Sequence, residues 1–216
     1  MSPPIVCFVG KSRSGKTTFL ERLIPELVGR GYRLGVVKHD VHGFDLDQPG
    51  KDTWRLRQAG AWRVAISAPR QFALLGSVEE ELPLAELVER YLGDVDLVLA
   101  EGYKRGTLPK IEVCRAARSQ ALLCRPEEVL ALISDLPLEV PCPRFGLDDV
   151  VAVADFLEQR FLRERAAARE AVSLHVDGRP VALKPFVQKM LAGAVRGMLA
   201  GLKETAGQEI ELRLRG

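Results

Sequence analysis

Hydrophobic and polar positions along this chain predict strands that alternate with helices. Residues 5–9 form a short, continuous apolar run, which is typical of a buried strand. From Thr17 to Arg30, apolar residues recur at helical spacing. Strands are also predicted at 32–37, 95–100, 111–114 and 129–133, helices at 51–59, 82–91 and 147–169, and a hairpin from strands at 62–67 and 71–75. The alternation predicts an α/β fold, with a mostly parallel sheet covered by helices on both faces in three layers.

The composition changes near Arg163, where Arg, Glu and Ala become frequent. Beyond it, strands predicted at 172–176 and 181–183 flank an Asp177-Gly178 turn, and a helix at 185–203 and a strand at 209–215 follow. We therefore predict a main domain at 1–168 and a small β-β-α-β appendage at 169–216. About 45 residues bury little apolar surface alone, so we expect the appendage to pack on the main domain or on a second copy.

The segment between the first predicted strand and helix carries the strongest chemical signal. It reads Gly-Lys-Ser-Arg-Ser-Gly-Lys-Thr and matches the P-loop pattern G-x-x-x-x-G-K-[ST] in full. Such a loop directs backbone N–H groups at phosphate oxygens beside a helix N-terminus. Lys16 then supplies a cation to the β- and γ-phosphates, and the Thr17 hydroxyl takes a place on Mg²⁺. The predicted nucleotide-binding residues are Gly10, Lys11, Ser12, Arg13, Ser14, Gly15, Lys16 and Thr17.

Carboxylates that follow predicted strands are the candidates for the metal side of the site. Ligands of parallel sheets bind beyond the carboxyl ends of the strands. Glu101 lies at that end of the 95–100 strand, and Asp96 lies at the other, where it helps to start the strand. We therefore assign Glu101 to the Mg²⁺ shell or to polarising the attacking water, with Lys16 as its catalytic partner. Gly102 would offer its N–H to the γ-phosphate, and Asp40, after the second strand, is the candidate for a second Mg²⁺ contact.

Charge and cysteine usage argue against several other classes of protein. The 216 residues carry 31 basic and 29 acidic side chains with the two signs interspersed, so we expect no nucleic-acid partner. Four cysteines lie far apart and only three histidines are present, so a zinc site is not expected. The chain opens into a strand without a signal peptide, and its longest apolar stretch, 185–202, contains Lys189 and Arg196. We therefore expect a cytoplasmic protein with no membrane span.

Three segments, taken together, are similar to those of a known family. They are the P-loop, the stretch from Lys38-His39-Asp40 through Pro49-Gly50-Lys51-Asp52 to Ala61, and Leu97 to Lys104 with its Glu-Gly-Tyr-Lys ending. The segments 108–113 and 133–135 agree with them. Over about residues 4–160, the chain resembles the molybdopterin-guanine dinucleotide biosynthesis protein B family.

The resemblance implies a GTP-binding protein that hydrolyses GTP slowly and is usually a dimer. Members assist a nucleotidyltransferase that joins GMP to molybdopterin, so molybdopterin is an expected ligand beside GTP and Mg²⁺. The resemblance also implies that Gly10 to Thr18 form the phosphate site and that Glu101 lies on the Mg²⁺ side. It also implies that the 45–52 loop contacts nucleotide, metal or pterin.

The chain lacks the Asn-Lys-x-Asp motif with which many GTPases read guanine. Asp135, after the 129–133 strand, is the candidate to accept hydrogen bonds from the guanine N1 and N2 groups. No arginine finger is evident, so we expect slow turnover. Two alternatives stay open. One is a nucleotide-binding adaptor that needs no hydrolysis, and the other is a small-molecule kinase whose lid arginines would be Arg55, Arg57, Arg63 and Arg70.

Overall fold

The computed structural model describes residues 2–41, 43–163, 174–176, 179–181 and 183–199. The strands are β1 (Ile5–Val9), β2 (Leu34–Lys38), β3 (Arg63–Ala68), β4 (Gln71–Gly76), β5 (Leu97–Glu101), β6 (Lys110–Cys114), β7 (Val129–Ser134), β8 (Arg144–Phe145), β9 (Leu174–Val176) and β10 (Arg179–Val181). The α-helices are α1 (Lys16–Gly29), α2 (Asp52–Gln58), α3 (Leu84–Tyr91), α4 (Val150–Leu157) and α5 (Pro185–Leu199). The chain forms two compact units, Met1–Leu157 and Glu158–Gly216.

Six strands of the first unit form a parallel sheet in the order β2-β5-β1-β6-β7-β8. The predicted α/β fold with a mostly parallel sheet is confirmed. β1 lies in the middle of the sheet between β5 and β6, so the P-loop leaves from its centre. The carboxyl ends of β5 and β6 therefore flank the loop on either side.

The two faces of the sheet are covered differently. On one face, Phe8 of β1 stacks against Phe19 of α1 with ring centroids 6.4 Å apart, and α4 packs beside α1. An ion pair of 2.6 Å between Arg30 and Asp155 joins the ends of these two helices. On the other face, Leu84 and Val88 of α3 pack against apolar residues of β1, β2 and β5, which are Cys7, Val9, Val37, Val98 and Ala100.

Beyond α3, this second face is covered by loops. Residues 102–109 connect β5 to β6, and residues 115–128 connect β6 to β7, yet neither connection contains an α-helix. The second holds one 3₁₀ turn, Pro126–Glu128. Parallel strands are normally joined through a helix, so this arrangement is a departure that the sequence analysis did not anticipate. Tyr103 and Leu108 from the first connection and Cys124 from the second pack against the α3 cluster.

The predicted hairpin is confirmed, because β3 and β4 pair antiparallel from Arg63 opposite Gly76 to Ala68 opposite Gln71. The helix predicted at 147–169 differs. Asp149 accepts the N–H of Val153 through its backbone carbonyl, so α4 begins only after it, and a π-helical turn replaces the α-helix at Glu158–Leu162. Strand β8 was not predicted, because two residues show no periodicity.

The second unit contains a short antiparallel hairpin and a helix. β9 pairs with β10, so the second strand lies at Arg179–Val181 rather than at the predicted 181–183. α5 follows as predicted and is described to Leu199. The predicted domain boundary at 168/169, the end of that helix at 203 and the last strand at 209–215 lie outside the described residues. In the described ranges, no helix has both the length and the hydrophobicity that a bilayer span requires.

Candidate functional site

The P-loop is shaped by two glycines with positive φ. Gly10 has φ 146° and Gly15 has φ 96°, and Gly15 is the residue before the first turn of α1. At Gly10 a Cβ atom would lie 2.3 Å from the carbonyl oxygen of Val113 on β6. Only glycine therefore fits between the loop and the sheet at this point. Ser14, almost completely buried, has a hydroxyl without a hydrogen-bond partner.

Lys16, at the start of α1, reaches back over the loop. Its Nζ donates hydrogen bonds of 3.0 Å to the carbonyl oxygens of Gly10 and Lys11. Burial lowers the pKa of Lys16, the nearby Glu101 carboxylate opposes that shift, and Lys38 adds to it. The ammonium group thus lies inside the loop and within the electrostatic field of Glu101.

Thr17 and Glu101, which sequence analysis assigned to Mg²⁺, meet in the structure. The Thr17 Oγ1 donates to both carboxylate oxygens of Glu101, at 3.0 and 2.9 Å. Glu101 is the last residue of β5, where it is opposite Phe8 of β1 and Lys38 of β2. A hydroxyl and a carboxylate within 3 Å are hard oxygen donors, and Mg²⁺ commonly takes one or two such protein ligands and completes its shell with phosphates and water. The pair therefore fits Mg²⁺.

Asp96 directly precedes β5, and Gly102 directly follows it. The Gly102 N–H donates to the Phe8 carbonyl at 3.0 Å, so this donor is engaged within the sheet. Asp96, only 5% exposed, accepts the Arg33 N–H at 2.7 Å and returns its own N–H to the Arg33 carbonyl at 2.8 Å. It thereby ties the start of β5 to the chain before β2, as its position predicted.

The segment after β2 brings together a cluster that sequence analysis missed. His39 donates its backbone N–H to the Glu101 carbonyl, and its ring lies 4.6 Å from the ring of Tyr103. The His39 Nε2 lies 2.8 Å from a carboxylate oxygen of Glu81. Burial and the Glu81 charge raise the pKa of Tyr103. Asp40, the second candidate for Mg²⁺, is exposed and follows this cluster directly.

Within the 45–52 loop, one carboxylate turns inward. Asp47 accepts the Thr53 hydroxyl at 2.8 Å, and its second oxygen is buried 3.9 Å from Arg57 without a hydrogen bond. Its contacts therefore join the loop to α2. Arg55 forms an exposed ion pair of 3.7 Å with Asp52. Two of the four arginines weighed as kinase lid residues are thus engaged with neighbouring carboxylates.

Asp135, the candidate guanine reader, follows β7 directly. One of its carboxylate oxygens accepts the Ala116 N–H at 2.7 Å, which joins the chain after β7 to the chain after β6. Asp135 is exposed at the carboxyl edge of the parallel sheet, the edge at which the P-loop also lies. In the part of the chain that the structure describes, no group of three or more His, Cys, Asp and Glu side chains is arranged to hold a metal ion.

Comparison with known proteins identifies one family. A family model described as molybdopterin guanine dinucleotide synthesis protein B matches residues 5–135. The molybdopterin-guanine dinucleotide biosynthesis adapter proteins of Escherichia coli and Haemophilus influenzae are 39% and 36% identical, over 71% and 72% of this chain and 91% and 88% of their own. The crystal structure of Bacillus subtilis MobB is similar with a TM-score of 0.58 and 31% identity, over 72% of this chain and 97% of that chain.

Proposed function

Because the chain belongs to the molybdopterin guanine dinucleotide synthesis protein B family, we propose that it is an adapter protein of that biosynthesis which binds GTP with Mg²⁺ and hydrolyses it slowly. Its partner is the nucleotidyltransferase that joins GMP to molybdopterin. The observation that carries the nucleotide part is the contact between Thr17 and Glu101. It joins the P-loop hydroxyl to a carboxylate from the neighbouring strand.

The residues around the P-loop have distinct tasks in this proposal. Loop amides and the Lys16 ammonium hold the β- and γ-phosphates and stabilise the charge that grows on them as water attacks the γ-phosphate. Thr17 and Glu101 hold the metal ion, with Asp40 as a further candidate ligand. Bound Mg²⁺ would neutralise part of the negative charge on the phosphate oxygens.

Slow turnover follows from what the loop presents to the γ-phosphate. An arginine finger accelerates such reactions by about 10³–10⁵. Arg13 is exposed at the loop with φ 61°, and among the described residues no hydrogen bond or ion pair holds its side chain over the γ-phosphate as an arginine finger requires. Slow hydrolysis suits a protein whose nucleotide state sets its contact with a partner better than one that consumes GTP in bulk.

The test is calorimetry of GTP and ATP binding with and without Mg²⁺. We expect GTP to bind more tightly than ATP, and Mg²⁺ to strengthen GTP binding by about tenfold or more. Glu101→Gln should remove most of the Mg²⁺ effect, whereas Glu89→Gln, an exposed glutamate on α3, should leave it unchanged. Equal Mg²⁺ dependence in both variants would contradict the assignment of Glu101.

The same Glu101→Gln variant separates the switch from an adaptor that needs no hydrolysis. Cofactor maturation would be measured with the partner nucleotidyltransferase, GTP and molybdopterin. Loss of both hydrolysis and maturation supports the GTPase, and loss of hydrolysis with full maturation supports the adaptor.

The Asp135→Asn variant tests whether Asp135 reads the guanine base, because the substitution replaces one hydrogen-bond acceptor with a donor. An unchanged preference for GTP over ATP would remove that residue from the site.

We further propose that the protein is a homodimer and that the β3–β4 hairpin forms the contact. Phe72 is 80% exposed and Leu74 is 42% exposed on one face of this hairpin, and Ile66 is 57% exposed on the other. A hairpin that exposes apolar side chains on both faces offers surface that a second copy of the chain would cover. Light scattering should give a dimer for the full chain and a smaller species for Phe72→Gln, with Val28→Gln on α1 as the control. A dimer that survives Phe72→Gln together with Ile66→Gln would refute this surface.

A further inference from the structure

A cavity of about 370 Å³ lies between the two connections that cross the sheet without a helix. Lys104 and Arg105 line it from the β5–β6 connection, and Leu123, Cys124, Arg125 and Glu128 line it from the β6–β7 connection. Its volume falls in the range of about 300–1,000 Å³ that small-molecule sites occupy. The open space thus occurs where other parallel sheets carry a crossover helix.

The walls of the cavity are strongly cationic. Three of its six lining side chains are basic, and in the described part of the chain Lys104, Arg105 and Arg125 have no carboxylate within ion-pair distance. The one acidic lining residue, Glu128, lies 3.5 Å from the ammonium group of Lys110, which compensates its charge. All three basic side chains are exposed to solvent at the rim of this cavity, so each can pair with an anion without first breaking an ion pair.

Two buried side chains of β6 fix the walls in place. Lys110, 2% exposed, donates from Nζ to the Gly106 carbonyl at 2.6 Å and so holds the β5–β6 connection. Glu112, 1% exposed, accepts the backbone N–H groups of Leu123 and Cys124 and so holds the β6–β7 connection. Burial and Glu112 raise the pKa of the Cys124 thiol, which therefore stays uncharged near neutral pH. The cavity is thus built before any ligand arrives, which lowers the cost of binding.

We propose that this cavity binds the phosphate monoester of a heterocyclic small molecule, and that the ligand is the phosphorylated pterin on which the adapter acts. Arginine forks pair with phosphate through two parallel hydrogen bonds, and Leu123 and Cys124 offer apolar surface to a ring. The pterin identity rests on the proposed function, because a pterin joined to a guanine nucleotide as a dinucleotide carries a phosphate at the junction. The anion site itself does not depend on it.

The cavity wall extends from Lys104, three residues after β5, to Glu128, which precedes β7 at the edge of the sheet opposite the P-loop. Lys104 follows Glu101 by three residues, so their Cα atoms are at most about 11 Å apart along an extended chain. Glu101 contacts the P-loop threonine through its side chain. One short segment therefore serves the P-loop at its beginning and the cavity at its end.

The experiment uses the full chain and neopterin monophosphate as a fluorescent probe, with neopterin as the form that lacks phosphate. Binding is followed by fluorescence anisotropy for the wild type, for Arg105→Gln and Arg125→Gln, and for Arg70→Gln at the tip of the β3–β4 hairpin. Each of the two cavity variants should bind neopterin monophosphate about tenfold more weakly or worse, because each loses a charge-assisted contact. Arg70→Gln should bind as the wild type does, and neopterin should bind at least about tenfold more weakly than its phosphate.

Competition distinguishes the sources of the signal. Saturating GTP with Mg²⁺ should leave the probe bound, whereas displacement of the probe by GTP would locate it at the P-loop and overturn the proposal. Unchanged binding in both cavity variants would also overturn it. If inorganic phosphate displaces the probe at the probe's own concentration, the pterin identity is wrong. A wild type that binds the probe and not GTP would support the cavity while refuting the proposed nucleotide function.

Discussion

Glu112 is the buried carboxylate whose removal should most directly loosen the loop-covered face of the sheet. It is 1% exposed on β6, and its two oxygens accept the N–H groups of Leu123 and Cys124. A loop of 14 residues, 115–128, therefore depends on one side chain for its attachment to the sheet at this point. The substitution Glu112→Gln keeps the size of the side chain and changes only its charge and one acceptor.

The expected cost follows from the two hydrogen bonds. Hydrogen bonds to a charged acceptor contribute about 1.5–3 kcal/mol each. In Glu112→Gln, the side-chain carbonyl still accepts one of the two backbone N–H groups, but through a weaker bond between neutral groups. The side-chain NH₂ faces the other backbone N–H, and this second hydrogen bond is lost because both groups are donors. The lost bond and the weakened one together predict a fall of about 2–4 kcal/mol in the free energy of unfolding. That is a large part of the roughly 5–15 kcal/mol by which such domains are stable.

Urea unfolding, followed by circular dichroism, measures this fall, and amide hydrogen exchange locates it. The amides of Leu123 and Cys124 should exchange much faster in Glu112→Gln, whereas amides of α1 should change only with global stability. Glu127→Gln, in the exposed 3₁₀ turn of the same loop, is the matched control and should lie within about 0.5 kcal/mol of the wild type. A Glu112→Gln variant that is as stable as this control, with unchanged exchange at both amides, would refute the reasoning.

Three further predictions concern the other parts of the site. Gly10→Ala should abolish GTP binding, because its Cβ would lie 2.3 Å from the Val113 carbonyl, whereas Gly15→Ala meets no atom within 4 Å and should lose less; calorimetry compares them. Burial raises the pKa of the Cys7 thiol to about 11, against 9.0 for a free thiol, with Lys110 opposing the shift. Above pH 9 the unfolded chain therefore loses a proton that the folded chain keeps, and stability should fall by up to about 3 kcal/mol between pH 9 and 11. Unfolding curves across this range should show a smaller fall for Cys7→Ala; equal slopes would contradict the assignment. Asp96→Asn should destabilise the fold by about 1–3 kcal/mol, because it weakens a buried charge-assisted bond, and should leave GTP affinity unchanged.

The P-loop side of the site could be predicted because its signals are local. A strand, a glycine-rich turn and a helix follow one another along the chain, and the parallel sheet brings the end of β5 beside the end of β1. Position alone therefore assigned Glu101 to the nucleotide side and Asp96 to the opposite edge, and the contacts of both side chains agree with that. The strand boundaries were predicted less accurately. A strand ends where its pairing with a neighbouring strand ends, and the local sequence pattern does not specify that pairing.

The loop-covered face could not be predicted, because its strand gives a misleading pattern. Lys110 to Cys114 alternates polar and apolar residues, which is typical of a strand with one face in water. All five are buried, since the two helix-free connections fold over the polar face and satisfy it with backbone groups. Glu112 is covered by a loop whose contacting residues lie 11 and 12 positions further along the chain, and Lys110 by a turn four positions before it. No periodicity records such contacts.

The backbone at residues 102–103 explains how one short segment reaches both the P-loop and the cavity. Gly102 has φ 106° and Tyr103 has φ 55°, so two successive residues adopt conformations that turn the chain sharply after β5. For a tyrosine this conformation costs about 1–2 kcal/mol, and it persists only where neighbouring contacts hold it. The tilted ring contact of Tyr103 with His39 and its packing on the α3 cluster are such contacts. The strain therefore lies between Glu101, which contacts the P-loop, and Lys104, which lines the cavity. These contacts are made within the fold and without any ligand, so the fold itself sets the path of the chain from Glu101 to Lys104.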